Sequence, residues 1–555
     1  KQYSARFMNA LGSANVYAHS SSCNLSKESA YQLTIGATGY SKRLRQMRKM
    51  VMFIGRSYGD GIRPSSVQSL ADAASTHRVV IVDPRLNNSG IFASDWVPIN
   101  PGTDLALLMA MANVLIEEDL YDHDFVEQNT YGFEEFAEQA KEYTPEWAEK
   151  ITDVPAETIQ ELARSMAKAA PAASIESGWR SVIGCSYKNS FETARAITAI
   201  NSLLGCWGAK GGALITSSPK AGAIEDARFK APAKPAAKRI GDAEYPLVLA
   251  SAGTNVAALQ ATLEGEIKGL FFYNSNAAKG YAQPKKWTEA LEKTDLVVTI
   301  DVQMSETALA SDYVLPECTY LERMELPEFI GGKKHYVAMR TQVLEPIHPE
   351  TKPCDEIFAG LAEACGVGEY FQFTVDELAD AQLQTVGLSL DALREEGTHV
   401  FEDKALKYAL KTSWGTADKK VHFTSEACEK AGFPASPGWL EPKVTPGEGE
   451  FRLIGGKQAI HTHTQTANIP ALMEITKKYG LERIWMNADV AEQMGIADGD
   501  EVELSSETHT GRTRVKVTQR IEPTSIYLPS HYGCSVPEQK TAYQWACARW
   551  TSCRS

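Results

Sequence analysis

The stretch KMVMFIG at residues 49–55 is followed by a segment that Pro64 opens, and then by RVVIVD at residues 78–83. Both apolar runs are typical of buried parallel strands, and the segment between them, residues 64–74, predicts a helix. Together they predict a βαβ unit whose second strand ends on an acid, Asp83. Ligands bind outside the carboxyl ends of the strands in open α/β sheets, so the polar residues after each strand are candidates for a binding site.

The same arrangement returns later in the chain. KGLFFYN at residues 268–274 and LVVTID at residues 296–301 predict two strands on either side of a helix at residues 285–291. Each unit is followed by an Ala-Ser-Asp-aromatic-Val segment, at residues 93–97 and 310–314. The repeat therefore predicts two nucleotide-type ligands in one chain.

Polar residues stand where these predicted strands end. The loops GRSY at residues 55–58 and NSN at residues 274–276 can present backbone N–H groups to phosphates. Asp83 and Asp301 can accept hydrogen bonds from ribose hydroxyls, although a turn after the strand explains either acid equally well. Asp104 can accept from the N1 and N2 donors of guanine, or it can cap the apolar helix that follows. Neither loop has the Gly-x-Gly-x-x-Gly pattern of nicotinamide sites.

Length and composition limit the class of protein. A chain of 555 residues exceeds the size at which one core stops growing, so we expect three or four domains or lobes. The net charge of −14 argues against a nucleic-acid surface. The longest apolar run, residues 105–116, is too short to cross a bilayer, so a membrane role needs a partner. None of the ten cysteines forms a Cys-x-x-Cys pair, so neither a structural zinc site nor an iron–sulfur motif is visible.

Cys23 stands immediately before a predicted helix at residues 25–33. A thiol at a helix N-terminus has a lowered pKa and exists as the thiolate that binds soft metals or attacks. The other interpretation of Cys23 is a packed, silent thiol. Further along, Gly178-Trp179-Arg180 follows an apolar segment, where glycine can turn the chain or let the backbone lie against a flat ligand.

From about residue 450 the pattern becomes rich in β-strands. Alternating strands at residues 501–504 and 514–517, with tight turns, predict a barrel domain. His461 and His463 alternate with threonines, and a strand or extended loop would carry both on one side. Two histidines are too few for a zinc site, so hydrogen bonding to a polar ligand or a surface strand explains them better.

In this order the segments resemble the molybdopterin oxidoreductases of the dimethyl sulfoxide reductase type, and among those the thiosulfate and polysulfide reductase catalytic subunits. The resemblance implies an α/β fold with two dinucleotide-binding-like parallel-sheet domains, at residues 1–225 and 240–445, and a C-terminal β-barrel domain that caps the pterins, at residues 446–555. It runs through the segments SC at 22–23, VIVDPR at 80–85, PGTD at 101–104, GWR at 178–180, residues 194–205, ETA at 306–308, ASDYVLP at 310–316 and residues 461–470.

The resemblance implies a cofactor of molybdenum or tungsten with two molybdopterin guanine dinucleotides. It makes Cys23 the metal ligand and a catalytic residue, and Arg180 is the second catalytic candidate because an anionic substrate needs local positive charge. The loops, the acids and the resemblance together give the set of cofactor-binding residues: Gly55, Arg56, Ser57, Asp83, Arg85, Gly102, Asp104, Gly178, Trp179, Asn274, Asn276, Asp301, Thr307, Asp312, His461, Thr462, His463, Thr464, Thr466 and Asn468.

By this resemblance we expect an anaerobic respiratory oxidoreductase that reduces a small inorganic anion, a sulfur oxyanion or polysulfide. An arsenate reductase or a catechol-type dehydroxylase of the same family is the alternative chemistry. A non-catalytic subunit that lacks the metal is the alternative of another class. Retention of Cys23 argues against that subunit, and the absence of a cluster motif argues for it.

Family members carry an iron–sulfur domain upstream of the ligand cysteine. Only 22 residues precede Cys23 here and none of them is cysteine, so we expect the 4Fe–4S cluster in a missing N-terminal part. The expected partners are an electron-transfer iron–sulfur subunit and a membrane-anchor subunit, with no nucleic acid and no membrane span in this chain. The expected location is the periplasm or the outer face of the cytoplasmic membrane.

Overall fold

The structure is a computed structural model, and it describes residues 2–40, 49–61, 64–178, 181–215, 218–331, 334–402, 414–461, 463–464, 466–507, 510–530 and 532–543. The helices are α1 Gln2–Ala10, α2 Leu25–Ile35, α3 Pro64–Ala74, α4 Asp104–Glu117, α5 His123–Asn129, α6 Phe133–Ala140, α7 Pro145–Thr152, α8 Ala156–Ala169, α9 Ser190–Leu203, α10 Asn255–Leu263, α11 Ala277–Gly280, α12 Pro284–Lys293, α13 Glu306–Leu309, α14 Cys354–Ala364, α15 Val375–Gln384, α16 Leu390–Glu396, α17 Glu426–Lys430, α18 Pro470–Tyr479 and α19 Ala488–Gln493.

The strands are β1 Met50–Ile54, β2 Arg78–Val82, β3 Asp95–Val97, β4 Thr130–Tyr131, β5 Ala173–Ser177, β6 Gly269–Tyr273, β7 Leu296–Asp301, β8 Tyr313–Pro316, β9 Glu328–Ile330, β10 His335–Ala338, β11 Thr398–Phe401, β12 Val421–His422, β13 Arg452–Gly456, β14 Ile484–Asn487, β15 Glu501–Ser505, β16 Thr510–Thr518 and β17 Ser525–Pro529.

The first predicted βαβ unit forms a four-stranded parallel sheet in the order β3-β2-β1-β5. Every residue of β1 is buried, because the two faces of the strand contribute to different cores. Met52 packs on the side of α4, whose residues from Asp104 to Leu115 are all buried. Phe53 packs on the other side, against Leu70 of α3. The continuous apolar run of β1 is therefore the pattern of a strand covered by helices on both faces.

The second unit forms a three-stranded parallel sheet in the order β6-β7-β8. Phe272 and Val297 pack with Trp287 of α12 on one face, while Ile300 packs with Phe358 of α14 on the other. The Ala-Ser-Asp-aromatic-Val repeat marks the third strand of each sheet, since β3 pairs with β2 and β8 pairs with β7. The prediction of two parallel sheets with the same order of elements is confirmed.

The C-terminal part forms a five-stranded mixed sheet in the order β13-β17-β14-β16-β15. Strands β15 and β16 pair antiparallel, as their alternating pattern predicts, and Gly499 takes a left-handed φ of +92° in the turn before them. In the described part of the chain no pairing joins the edge strands β13 and β15. The closed barrel therefore stays a prediction, while the β-rich domain is present.

Two segments cross the predicted domain boundaries. Trp414, Val421 and Phe423 lie within the predicted second domain but pack in the core of the first sheet. Phe7 lies within the predicted first domain but packs against the second sheet. Both segments return to cover apolar surface that is distant in sequence, which local patterns do not reveal; the boundaries themselves stay a prediction. No helix among the described residues is long and apolar enough to span a membrane.

Candidate cofactor and metal site

Asp83 lies at the carboxyl end of β2, in the first sheet. One carboxylate oxygen accepts from the backbone N–H of Arg85 at 3.0 Å, and the other accepts from Nδ2 of Asn87 at 3.0 Å. Burial raises the pKa of Asp83, and the charge of Arg85 lowers it. The turn interpretation is thus correct for Asp83, yet each oxygen keeps a lone pair that a ribose hydroxyl could use.

Asp104 begins α4 beside the same edge of the sheet. Its side chain is 1% exposed, and within the described residues neither carboxylate oxygen has a hydrogen-bond partner. The pKa of Asp104 is raised to about 7, mainly by burial; the backbone N–H of Asp104 opposes this increase, and the nearby charge of Asp83 contributes to it. Thr103, the N-cap residue, makes no side-chain cap either, so the capping interpretation is wrong. A buried, unsatisfied carboxylate fits a ligand with paired N–H donors, as guanine offers.

The turn before Asp104 is built around Gly102, whose φ is +84°. A Cβ atom there would lie 2.8 Å from the ring of Tyr187, so only glycine lets that ring lie against the turn. Nδ2 of Asn189 donates to the Gly102 carbonyl at 2.9 Å and holds the turn. Arg452 and Glu522 act on the pKa of Tyr187 together with Asp104, so the C-terminal part also reaches this site.

The loop after β1 carries Gly55, Arg56 and Ser57. Gly55 has a φ of +53°, and its N–H donates to the Val82 carbonyl at 3.0 Å. The Arg56 guanidinium lies 4.4 Å from the centre of the Tyr58 ring. Ser57 is used within the loop, because its Oγ accepts from the Asp60 N–H at 3.1 Å.

Arg85 does not point along the carboxyl edge of the sheet. Its guanidinium donates to Asp60 at 3.1 Å and lies 4.1 Å from the centre of the Tyr527 ring of β17. The side chain is buried in this position. The predicted cofactor contact is therefore not supported for the Arg85 side chain, because the guanidinium joins the loop after β2 to the C-terminal sheet.

At the second sheet, the side chains of Asn276 and Thr307 are hydrogen-bonded to each other. The amide oxygen of Asn276 accepts from both the N–H and the hydroxyl of Thr307, at 3.2 and 3.0 Å, and its Nδ2 donates to Glu306 at 2.7 Å. Asn274 has a left-handed φ of +49° at the end of β6. Asp301 ends β7, accepts from the Val302 N–H at 2.7 Å, and burial raises its pKa. These four predicted residues lie together at the carboxyl edge of the second sheet.

Asp312 does not join them. Its carboxylate accepts from the N–H of Val297 at 2.7 Å, and Val297 lies at the amino end of β7. Because β8 runs parallel to β7 and begins at Tyr313, the residue before it must lie at the amino edge of the sheet. The prediction for Asp312 is corrected accordingly: its carboxylate is at the opposite edge from Asp301.

Cys23 lies in the turn between a 3₁₀ helix, His19–Ser22, and α2. Its side chain is buried, and its N–H donates to the Ser20 carbonyl at 2.9 Å. Asn24 is the N-cap residue of α2 but does not cap with its side chain, which donates instead to Glu28 at 2.7 Å. The thiol thus precedes the first turn of α2, as the sequence predicts.

The segment that carries Cys23 contacts the second sheet. The hydroxyl of Ser21 accepts from the N–H of Asn255 at 3.0 Å, and that of Ser22 accepts from its Nδ2 at 3.4 Å. The ring of His19 lies 5.6 Å from that of Tyr281, whose hydroxyl is 2.6 Å from Ser275 in the loop after β6.

The same segment also reaches the first sheet. Lys27, four residues after Cys23, interacts electrostatically with both Cys23 and Arg56, and Arg56 belongs to the loop after β1. The segment that carries Cys23 therefore contacts α10 and Tyr281 of the second unit, and Lys27 lies within electrostatic range of Arg56 in the loop after β1. Among the described residues, no group of three or more His, Cys, Asp or Glu side chains is arranged so that it could hold a metal ion.

The loop at residues 461–468 does not carry its two histidines on one side. His461 is fully buried, with Nε2 2.7 Å from the Thr476 hydroxyl and Nδ1 3.3 Å from that of Thr466, and burial lowers its pKa. His463 is exposed and has a φ of +50°. The strand interpretation is wrong for His463, because its backbone is left-handed and not extended.

The end of this loop is tied to the second sheet through residues 532–543. Asn468 accepts from the Thr541 N–H at 3.2 Å, and the Ser535 N–H donates to Glu306 at 3.2 Å. Thr464 is partly buried in the same loop. Thr462, Trp179 and Arg180 lie outside the described residues. Gly178 is buried, and its N–H donates to the Ile54 carbonyl at the end of β1.

Lys27, Tyr187 and Asn255 are site residues that the sequence predictions missed. For Lys27 the signal was its position in the first turn of the predicted helix, four residues after Cys23 in the sequence. Tyr187 and Asn255 approach the site only through tertiary contacts, so no local pattern marks them.

The chain matches the family model "Molybdopterin oxidoreductase" over residues 2–363 and the model "Molydopterin dinucleotide binding domain" over residues 451–550. It is 29% identical to the thiosulfate reductase molybdopterin-containing subunit of Salmonella typhimurium, over 96% of this chain and 74% of that protein. It is 28% identical to the dimethyl sulfoxide reductase of Haemophilus influenzae, over 94% of this chain and 72% of that protein. The solved structure of acetylene hydratase from Pelobacter acetylenicus has the same fold, with a TM-score of 0.83 and 24% identity over 98% of this chain and 79% of that one.

Proposed function

Because this chain belongs to the molybdopterin oxidoreductase family, we propose that it catalyses the reductive cleavage of a sulfur–sulfur bond in thiosulfate or polysulfide. Family membership makes it an enzyme, an oxidoreductase with a molybdenum bis(molybdopterin guanine dinucleotide) cofactor. The sulfur substrate is supported by the similarity to the Salmonella thiosulfate reductase, which extends over nearly the whole chain.

The observation that carries the proposal is the position of Cys23 between the two parallel sheets. Dinucleotides bind across the carboxyl edges of such sheets, and Cys23 has hydrogen-bonded neighbours next to one edge and a charged neighbour next to the other. A thiolate here is the soft donor that molybdenum prefers. In this proposal Asp104 accepts from one guanine, and Asp83 and Asp301 accept from the riboses of the two nucleotides.

The cofactor, when bound, supplies reversible two-electron redox chemistry. Thiosulfate takes up two electrons and one proton, its S–S bond breaks, and hydrogen sulfide ion and sulfite leave. The chain's own contribution is to hold the cofactor, to supply the Cys23 thiolate and to attract the anion into a protein of net charge −14. Arg180 remains the predicted anion contact from the sequence.

The proposal includes partners and a location. The Salmonella relative is named as a subunit, which supports an electron-transfer iron–sulfur subunit and a membrane-anchor subunit as partners of this chain. A periplasmic position, or one on the outer face of the cytoplasmic membrane, belongs to the same proposal and follows from the expected respiratory role.

The test is a panel of acceptors under a reduced viologen dye: thiosulfate, polysulfide, tetrathionate, arsenate and a catechol, compared by kcat/KM. We expect the sulfur compounds to be preferred. A clear preference for arsenate or the catechol would support the alternative chemistry. Protein that contains no metal after expression in a host that supplies the cofactor, and that reduces none of the acceptors, would support the non-catalytic subunit.

A paired substitution tests the thiolate. Cys23→Ala should lower turnover by more than the about 10–100-fold typical of losing an outer-shell partner, because a direct metal ligand is lost. Nucleotide content should not change. Cys428→Ala is the matched control, since Cys428 is also buried but packs in the first core against Phe423 and away from the site. Normal activity of Cys23→Ala would leave Cys23 as a silent thiol.

A further inference from the structure

Asp104 at the first sheet has no counterpart among the acids that the sequence assigned to the second sheet. Asp301 ends β7 much as Asp83 follows β2, and Asp312 lies at the amino edge. Two dinucleotides carry two guanines, and each guanine has adjacent N1 and N2 donors that a carboxylate can accept. A second acid is therefore expected beside the carboxyl edge of the second sheet.

The internal repeat continues into the helices that cover the two sheets. In the first unit α3 connects the first two strands and packs on one face of the sheet, and α12 does the same in the second unit. Another helix follows the third strand and packs on the opposite face, α4 in the first unit and α14 in the second. α14 is therefore the counterpart of α4, and β9 and β10 are inserted between it and β8.

Asp355 has in α14 the position that Asp104 has in α4, because both acids lie in the first turn of the helix. A backbone hydrogen bond places this turn beside the second sheet, since the Lys352 N–H donates to the Pro316 carbonyl at 3.2 Å. Pro316 ends β8 and is paired with Asp301 of β7. The start of α14 therefore lies beside the carboxyl edge of the second sheet.

The carboxylate of Asp355 is available to a ligand. Asp355 is partly exposed, and the side chains of the described residues donate no hydrogen bond to it. Burial raises the pKa of Asp355, and the backbone N–H groups of Asp355 and Glu356 lower it. The carboxylate is thus partly desolvated without a side-chain donor, which resembles the condition of Asp104 beside the first sheet.

Tyr3 of α1 brings a hydroxyl to the same region. It packs with Ile357 and Phe358 in the core that α14 forms with the second sheet. Burial raises the pKa of Tyr3, and the charge of Asp355 raises it further. Tyr3 is 9% exposed, and its hydroxyl has no hydrogen-bond partner among the described residues. A buried hydroxyl without a partner destabilises the folded chain, so it indicates a place where a ligand completes the hydrogen bonding.

We propose that Asp355 is the acceptor for the guanine of the second dinucleotide, and that the Tyr3 hydroxyl donates to the same base. A carboxylate beside a hydroxyl donor matches the edge of guanine, which has donors at N1 and N2 next to an acceptor at O6. The proposal rests on the cofactor of the family and not on the sulfur substrate.

Asp355→Asn tests the acceptor in protein made anaerobically in a host that supplies the cofactor. It should lower the guanine nucleotide released per chain on acid hydrolysis to the level that Asp104→Asn reaches, because an amide offers one acceptor to two donors. Nucleotide-free Asp104→Asn protein isolates the second site for titration calorimetry. It should bind guanosine monophosphate about 10-fold more tightly than inosine monophosphate, which lacks the N2 donor, and Asp355→Asn should remove this preference.

Glu356→Gln is the matched control, since Glu356 is the exposed neighbour of Asp355 in the same helical turn. It should change neither the nucleotide content nor the preference for guanosine monophosphate. Asp355→Ser takes the place of Asp355→Asn if that variant does not fold, as judged by circular dichroism. Wild-type nucleotide content in the Asp355 variant, or an equal loss in Glu356→Gln, would overturn the assignment. Protein that carries two guanine nucleotides per chain but does not reduce thiosulfate would defeat the proposed function and leave the role of Asp355 unaffected.

Discussion

At the scale of single residues, Asp104 shows how a binding site can be recognised by an unsatisfied group. A buried carboxylate without hydrogen bonds destabilises the folded chain, so it persists where a ligand provides the missing donors. Each carboxylate oxygen of Asp83 accepts a hydrogen bond, one from Arg85 and one from Asn87. The carboxylate oxygens of Asp104 accept none from the described part of the chain. The difference separates an acid that shapes a turn from an acid that awaits a ligand.

The raised pKa of Asp104 predicts how the stability of nucleotide-free protein depends on pH. The folded-state pKa of about 7 lies above the unfolded value of about 3.9, so the folded state binds the proton more tightly. Stability should therefore decrease as pH rises from about 4 to about 7, by at most about 4 kcal/mol at about 1.4 kcal/mol per pKa unit. Urea unfolding at pH 5 and pH 8 measures this difference, and Asp104→Asn should remove most of it.

The control for this prediction is Asp391→Asn. Asp391 also lies in the first turn of a helix, α16, but its side chain is 97% exposed. We expect it to leave the pH dependence unchanged. In loaded protein Asp104→Asn should lower guanine nucleotide content, because an amide offers only one acceptor to two guanine donors. Equal pH dependence of wild type and Asp104→Asn would show that the carboxylate is not desolvated.

At the scale of elements, the loop after β2 forms contacts between the first sheet and the C-terminal sheet. Arg85 lies in this loop, its guanidinium forms a buried ion pair with Asp60 of the loop after β1, and it also contacts the ring of Tyr527. Arg520 donates to the Leu86 carbonyl at 2.7 Å from the C-terminal side. A loop predicted to contact a ligand therefore also carries the contact between two parts of the molecule.

Arg85→Met should destabilise the protein by about 3–5 kcal/mol, because it leaves Asp60 buried without its cation. The free energy of unfolding in urea measures the effect. Lys430→Met, which breaks an exposed pair on α17, should cost less than about 1 kcal/mol. Similar small losses in both variants would mean that Asp60 is adequately solvated without Arg85.

The opposite edges of the second sheet predict opposite results for its two acids. Asp312→Ala removes an acceptor for the Val297 N–H and should cost about 1 kcal/mol of stability without changing nucleotide content. Asp301→Ala removes an acid at the carboxyl edge and should lower nucleotide content. Guanine release on acid hydrolysis, measured beside urea unfolding, tests both. A loss of nucleotide in Asp312→Ala would return that residue to the site.

At the scale of the whole molecule, the two parallel sheets and the C-terminal part converge on one region. The C-terminal strands contact the first sheet through Arg85 and Tyr527, and residues 532–543 contact the second sheet through Glu306. The segment that carries Cys23 contacts α10 and Tyr281 of the second unit, and α2, which follows it, reaches the electrostatic range of Arg56 in the loop after β1. This arrangement suits one metal held between two dinucleotides, one from each sheet.

Protein made anaerobically in a host that supplies the cofactor should contain about one molybdenum or tungsten per chain, since Cys23 is one donor for one soft metal. Acid hydrolysis should release two guanine nucleotides for each metal. Metal analysis by mass spectrometry and nucleotide chromatography measure the two quantities. One nucleotide per metal would mean that only one of the two sheets binds a dinucleotide.

The sequence by itself determined the repeated strands, the helices between them and the acids that end them. Strands β1, β2 and β7 are continuous apolar runs, and their bounds follow from patterns that span fewer than a dozen residues. The position of Cys23 before α2 was predictable for the same reason, because a helix start is a local signal. The order of the motifs then indicated the protein family and the cofactor that its members bind.

Tertiary structure alone decided which side chains face the site. Asp312 seemed equivalent to the other acids, but the direction of β8 put it at the amino edge. The Arg85 guanidinium contacts Asp60 and Tyr527, which are distant from it in sequence. His461 is buried beside the Thr476 hydroxyl, whereas His463 is exposed. The physical reason is that strand and helix patterns depend on neighbours a few residues away, whereas the charge and hydrogen-bond balance of a buried group depends on whatever the fold brings beside it.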